Sequence, residues 1–278
     1  MPALLTLGAV SARANTQYLT FAAGIIGGYG DVGGLQSNVL SASDNFNSNL
    51  QSGSAYADIS TGSMGVQTTG NVPPNTQIND VTEAYMGDTI TVAGTTGSLN
   101  LGLDLNIDGS FTGDPTQNLT FVGVYAFTPG TFDTNDFTAP GQVLFSEGFV
   151  VGSGTMPYST YFTNYDLTYA GTYGTGTQNI PLDIPFATLG SNFQLLITLE
   201  TYENADSPTA NSWDVDYYHT LTASLSAPAG VTLTSASGVF PGTTAVPEPR
   251  LVFLMIGGLA LLVGSKAFWR RDRQHNHR

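Results

Sequence analysis

Leu99, Leu101, Leu103, Leu105 and Ile107 alternate with Asn100, Gly102, Asp104, Asn106 and Asp108, a period of two residues that buries one face of an extended strand and leaves the other in water. Asp108-Gly109 then supplies the turn. Between the two ends of the chain no stretch of useful length carries the period of an amphipathic helix. Shorter apolar alternations recur instead at Thr89 to Val92, Leu119 to Phe127, Val143 to Val151, Phe193 to Thr201, Val215 to Leu225 and Val231 to Leu233, each broken by Gly, Pro, Asn or Asp. About nine strands over about 230 residues predict an all-β fold, a single jelly-roll-like β-sandwich rather than two domains.

Charge narrows the functions such a body can have. The chain has 278 residues with 7 Lys+Arg and 21 Asp+Glu. Every basic residue lies near an end, at Arg13, Arg250, Lys266, Arg270, Arg271, Arg273 and Arg278, so residues 15 to 249 contain none. A body without Arg forks, Lys or a basic groove lacks the usual means of holding phosphate, which argues against nucleic acid and nucleotide partners. Cys is absent, and His219 is the one His before the tail. Thiol chemistry, disulfides, zinc sites built on several His or Cys, and a Schiff-base lysine all drop out of the body. The composition suits an uncharged, Thr-rich β-protein outside the cell.

The C-terminal 33 residues read differently. Val246-Pro247-Glu248-Pro249-Arg250 precedes an uncharged run from Leu251 to Ser265, followed by Lys266, Trp269, Arg270, Arg271 and Arg273. At about 1.5 Å per residue the run reaches roughly 22 Å, short of a hydrocarbon core of about 30 Å unless Lys266 snorkels and the segment to Trp269 is included. A buried core helix is the competing reading. The flanks favour a single C-terminal transmembrane helix: Lys266, Arg270, Arg271 and Arg273 would be stranded on a globular core but suit the cytoplasmic side of a bilayer, which puts the body on the other side. At the opposite end, Pro2 to Val10 is apolar and Ala12-Arg13-Ala14 has a small-x-small form, which reads as a truncated signal peptide over 1–14 or as a first strand. The expected layout is therefore 1–14 signal, 15–245 ectodomain and 246–278 tail.

The tail resembles the PEP-CTERM sorting signal of exported proteins in Gram-negative bacteria, through Val246, Pro247, Glu248 and Pro249, the Gly-containing helix, and the Arg-rich end. The resemblance implies a membrane-embedded partner enzyme, an exosortase, that recognises the tail and cleaves near the motif, releasing the body to the cell surface or exopolysaccharide. Two prolines keep residues 246 to 250 extended, as a protease substrate should be. The body looks like ectodomains found ahead of such tails, through Ser54 to Gly62, Leu103 to Gly109, and Asp216 to Thr220 with Ser235 to Gly238. This implies an extracellular β-sandwich of structural or adhesive role.

Three constellations offer more specific chemistry. Asp104, Asn106, Asp108 and Gly109 match the opening of an EF-hand calcium loop, although its twelfth position is Pro115 and not Glu, and Leu105 and Ile107 suit the buried face of a strand. Tyr161, Tyr165, Tyr169 and Tyr173 share one parity; exposed they would be a stacking platform for a carbohydrate such as exopolysaccharide, and buried they would be a core face. Trp213 is expected in the core or at a sandwich edge. No nucleophile elbow is present, and although a polysaccharide hydrolase needs only two carboxylates, nothing singles out a pair among the 19 acids of residues 15 to 246. No catalytic residue and no resident cofactor is expected, with calcium on the acidic surface as the alternative.

Overall fold

The computed structural model describes residues 18–25, 36–37, 39–47, 50–94, 97, 99–114, 118–130, 142–152, 168–206 and 210–245. The chain divides into units 1–244 and 245–278, and the tail motif and apolar run at 246–278 lie outside the described residues, as does the 1–14 segment. No helix among the described residues is long and apolar enough to cross a membrane.

The strands in chain order are β1 (Tyr18–Ile25), β2 (Gln36–Ser37), β3 (Ser41–Asn47), β4 (Gln51–Asp58), β5 (Ser63–Val72), β6 (Gln77–Gly94), β7 (Asn100–Ile107) and β8 (Ser110–Thr112). They continue with β9 (Asn118–Phe127), β10 (Val143–Val151), β11 (Thr168–Tyr173), β12 (Gln178–Pro185), β13 (Asn192–Asp206), β14 (Asn211–Ser226), β15 (Val231–Ser235) and β16 (Thr244–Ala245). One helical turn, α1 (Phe186–Leu189), sits between β12 and β13 and ends at Gly190. The protein is all-β and forms two sheets. A nine-stranded sheet runs β11-β10-β9-β13-β6-β1-β2, with β15 on β6 and β16 on β15, and a seven-stranded sheet runs β12-β7-β14-β5-β4-β3, with β8 on β14.

The alternation in β7 holds as the spacing predicts: Leu101, Leu103, Leu105 and Ile107 are buried while Asp104, Asn106 and Asp108 are exposed. Leu99 departs from that pattern, because the strand begins at Asn100 and leaves Leu99 39% exposed. The apolar rows of β7, β12 and β14 meet those of β6, β9 and β13, including Met86, Val124, Ile197 and Leu199, in one interior shared by the two sheets. A second cluster lies on the other face of the nine-stranded sheet, made of Leu19, Phe21, Ala23, Tyr85, Tyr125, Phe127 and Leu196.

Trp213 of β14 is 3% exposed, and its indole N–H donates to Thr68 Oγ1 across 3.2 Å. It pairs with Gly70 of β5, where a Cβ would meet the indole at 2.1 Å, so the ring occupies space that only a glycine leaves open. This places the tryptophan in the core, where its size and amphipathic ring are expected.

Candidate functional site

Each constellation drawn from the sequence lands differently. Asp104, Asn106 and Asp108 sit on one exposed face of a continuously paired strand, with Asp104 opposite Pro181 and Ser224 and Asn106 opposite Asn179 and Thr222. Successive same-face residues of a strand stand roughly 6–7 Å apart, so these three diverge where a calcium loop would fold them around one ion. Of the two readings of this segment, the wet strand face with a turn describes it: the apolar residues between the carboxylates hold it extended.

The tyrosine row is also interrupted. Tyr161 and Tyr165 lie outside the described residues. Tyr169 pairs with Gly148, but the register of β11 on β10 shifts between Gly148 and Phe149, so Tyr173 pairs with Val151. The shift breaks the parity that an uninterrupted strand would give Tyr169 and Tyr173. Tyr173 is half-buried and packs its ring 5.8 Å from that of Phe149.

Two arrangements that the sequence did not signal carry more chemistry. The first is an open depression of ≈ 380 Å³ on the outer face of the seven-stranded sheet, lined by Asn45, Asn47, Ser52, Gly53, Ser54, Gln67 and Thr69. It is built from two rungs. Asn45, Ser54 and Gln67 stand in register across β3, β4 and β5, and Asn47, Ser52 and Thr69 form the next row. On β14 the rows continue into Asp216, opposite Gln67, and Asp214, opposite Thr69, both exposed. Ser52 and Thr69 hydroxyls hydrogen-bond at 3.1 Å, which fixes the second rung. Beside the first rung on the same strand, Tyr56 meets Tyr218 edge to face with centroids 5.1 Å apart. Burial raises the Tyr56 phenol above its ordinary value, against a lowering hydrogen bond from Ser63. The surface thus offers amide and hydroxyl donors and acceptors, two carboxylates and an aromatic edge, with no cation.

The second arrangement is a carboxylate pair on the other sheet. Glu200 of β13 stands directly opposite Glu83 of β6, on the face that carries Tyr85, Leu196 and Tyr125. Glu83 is 9% exposed and Glu200 is 7%. Burial, then the neighbouring Glu200, pushes the Glu83 carboxyl up to about 8, with a hydrogen bond from Tyr85 acting the other way. Burial raises Glu200 as well, while hydrogen bonds from Tyr202, Tyr85 and Thr198 favour its ionised form. The Tyr202 hydroxyl donates to Glu200 Oε2. A proton held on Glu83 next to a hydrogen-bonded Glu200 is the arrangement this asymmetry produces.

No known family and no curated protein matches the chain. Among solved structures it is similar to the GH12 endoglucanase 3 of Trichoderma harzianum, at 11% identity over 67% of this chain and 95% of that one, with a TM-score of 0.26. It is similar in the same degree to the catalytic domain of Humicola grisea Cel12A, determined with a thio-cellotetraose, at 11% identity over 65% of this chain and 95% of that one, with a TM-score of 0.25. Neither comparison assigns the chain to a family.

Neither arrangement had a local signature. The rungs of the depression combine residues from three strands rich in Ser, Asn and Gly, and Glu83 and Glu200 are joined only by strand register. A pairing of β6 with β13 would have been needed to find them.

Proposed function

We propose that this chain is an exported envelope or extracellular-matrix protein that binds polysaccharide through the outer face of its seven-stranded sheet and is delivered by its C-terminal tail. The observation that carries the binding reading is the pair of rungs Asn45-Ser54-Gln67 and Asn47-Ser52-Thr69. Sugars present many neutral hydroxyls that donate and accept, and neutral amides and hydroxyls spaced by a sheet match them without a charge to desolvate. The Tyr56–Tyr218 pair supplies an amphipathic edge beside them. A body without Lys or Arg between residues 15 and 249 turns away phosphate-rich ligands.

Polysaccharide hydrolysis is the second reading, favoured by the Glu83–Glu200 pairing. Retaining glycosidases use two facing carboxyl groups of which one holds a proton, and Glu83 and Glu200 face each other directly across the ladder with the Glu83 carboxyl raised by burial. One experiment separates the two readings. Titrated with the host's exopolysaccharide, the purified protein is expected to bind without releasing reducing ends. Asn45→Ala and Gln67→Ala are each expected to weaken binding about 5–10-fold, the worth of one lost hydrogen bond. Unchanged affinity in both variants would remove the binding face, and reducing ends released by wild type but not by Glu200→Gln would establish hydrolysis.

For delivery, the proposal takes a jelly-roll-like body, a membrane helix from Leu251 and an exosortase acting near Val246-Pro247-Glu248-Pro249, with Lys266, Arg270, Arg271 and Arg273 holding the cytoplasmic end. Replacing Pro247-Glu248-Pro249 by alanines is expected to leave the protein in the membrane fraction with its tail attached. Mass spectrometry of released wild type that still finds residues 250 to 278 would contradict exosortase processing.

A further inference from the structure

Along one edge of β14 the partner changes. β5 begins at Ser63, opposite Thr222, so the N–H groups of β14 beyond that point turn to other acceptors: Ala223 N–H donates to Gly62 O at 2.7 Å and Leu225 N–H to Pro241 O at 3.1 Å. Pro241 belongs to the segment that closes the body. β15 lies on β6 from Val231, opposite Gly94, to Ser235, opposite Ile90. The chain then follows β6 two residues further: Ala236 N–H donates to Thr89 O at 2.9 Å, and Ser237 gives its N–H, at 3.2 Å, and its hydroxyl to the buried Asp88 carboxyl. Gly238, with φ at +74°, turns the chain, and Phe240 enters the shared interior, 1% exposed. Thr243 closes the loop, donating its N–H at 3.1 Å and its hydroxyl at 2.5 Å to Phe240 O, while the Phe240 N–H reaches the buried Ser235 Oγ at 3.4 Å.

One segment, 235–244, therefore holds β6 of one sheet and β14 of the other, with a buried ring between the two attachments. The fit at β14 is backbone against backbone. Gly242 has φ at +84°, and a Cβ there would stand 1.7 Å from Leu225 O; a Cβ on Gly62, with φ at +63°, would stand 2.8 Å from Pro241 Cγ. A side chain at either place would push the segment off β14. Terminal segments ordinarily fray, because few groups tie them down. This one supplies partners that β14 and Asp88 would otherwise lose, and it covers a stretch of sheet edge. Breaking the chain inside it would unpair Leu225 N–H, uncover Asp88 and empty the Phe240 site together. A break after Thr244, where the compact body ends, would disturb none of these.

We propose that residues 235–244 are a clasp that fastens the two sheets to each other at the C-terminal end of the body and keeps the fold closed whatever happens to the chain beyond it. The clasp stands on the body alone. Its bearing on delivery rests on the reading of the tail as a processing signal: the partner enzyme's cut then falls beyond Thr244, because the bonds within the clasp are held by the hydrogen bonds and packing of the folded body. The Val246-Pro247-Glu248-Pro249 motif begins two residues past the clasp, within reach of an enzyme that leaves the clasp shut.

The test uses the full chain in detergent, exposed briefly to a protease of broad specificity, with the fragments read by mass spectrometry. Wild type is expected to be cut beyond Thr244 and to stay whole from 235 to 244. Gly242→Ala strains the clasp without removing the Phe240 ring, and is expected to raise the rate of cutting inside 235–244 about tenfold or more, since proteolysis of a folded chain follows the population of its locally open form. Ser237→Ala removes one tie to Asp88 and is expected to raise that rate about threefold or more, which keeps the test decisive should Gly242→Ala fail to fold. Val239→Ser, at a position 38% exposed within the clasp, is expected to leave the rate unchanged. Wild-type cuts inside 235–244 as fast as those beyond it, or a rate that neither Gly242→Ala nor Ser237→Ala raises, would overturn the clasp. Protein released by the host is expected to end at or beyond Thr244. A released end between 235 and 243 would overturn the clasp's bearing on the cut while delivery stands. A released protein that keeps residues 250 to 278 would instead overturn the delivery reading and the placement of the cut with it, and the clasp itself would then stand or fall on the protease result.

Discussion

Trp213→Ala is expected to destabilise the body by about 3–5 kcal/mol, the range for emptying a large buried aromatic site. The residue is 3% exposed, and its removal also strips Thr68, itself 1% exposed, of the indole N–H it accepts from. Gly70→Ala should be destabilising for the opposite reason: a Cβ only 2.1 Å from the indole forces the ring out of its site, with an overpacking penalty of about 1–3 kcal/mol. The two substitutions share one volume, so their effects should not add. In the Gly70→Ala, Trp213→Ala double variant the new methyl occupies part of the space the indole vacated, and the double variant is expected to be no less stable than Trp213→Ala alone. Urea unfolding followed by far-ultraviolet circular dichroism measures all four proteins without relying on the fluorescence of the residue removed. Strict additivity would mean that Gly70 and Trp213 do not compete for this space.

How much of this was legible from the sequence depends on the contrast each strand offers. In β7 the contrast is large, Leu and Ile against Asn, Asp and Gly, and the buried face follows residue by residue from Leu101 to Ile107. In β3, β4 and β5 it is small. The inward positions of β3 and β4 include Ala42, Ala55 and Ala57, set among Ser, Asn, Gly and Asp, and in β5 the inward Met64, Val66 and Val72 are interrupted by Thr68 and Gly70, so hydrophobic alternation is weak in the three strands that carry most of the binding face. Parity arguments fail differently. They assume an unbroken ladder, and the register shift opposite Tyr169 is invisible to a count of residues. Asp104, Asn106 and Asp108 show that a spacing compatible with a metal loop is equally compatible with the wet face of a strand, and the intervening leucine and isoleucine decide between them. Buried carboxylates such as Glu83 and Glu200 leave no local trace, since what makes them neighbours is the pairing of strands more than a hundred residues apart.

That pairing sets an unusual dependence of stability on pH. Burial and the facing Glu200 raise Glu83 from an ordinary value near 4.5 to about 8, and burial raises Asp88 from 3.8 to about 6 against hydrogen bonds from Ser237 and neighbouring backbone N–H groups. Between the ordinary and raised values the folded protein keeps these protons and the unfolded chain loses them. The native state therefore binds more protons, and stability falls as pH rises. The contribution of Glu83 is fully present below about pH 4.5 and is lost by about pH 8, and that of Asp88 is lost by about pH 6. Glu200 is shifted in the same direction by its burial. Tyr85 and Tyr202, which face the pair, have phenols raised well above their ordinary value by burial first and then by the nearby carboxylates, so they stay neutral and add no opposing titration. For Glu83 alone the shift corresponds to on the order of 5 kcal/mol across the window. The unfolding midpoint is accordingly expected to be highest near pH 5 and to decline steadily toward pH 8.5, reinforced by mutual repulsion among the 19 acids of residues 15 to 246. Glu83→Gln keeps the shape and hydrogen-bonding capacity of the neutral acid but cannot ionise. It should match wild type near pH 5, exceed it at pH 8 and flatten the profile between them. A midpoint that rises from pH 5 to pH 8, or a Glu83→Gln profile parallel to wild type, would mean that Glu83 is ionised in the folded protein and that the pair does not hold a proton.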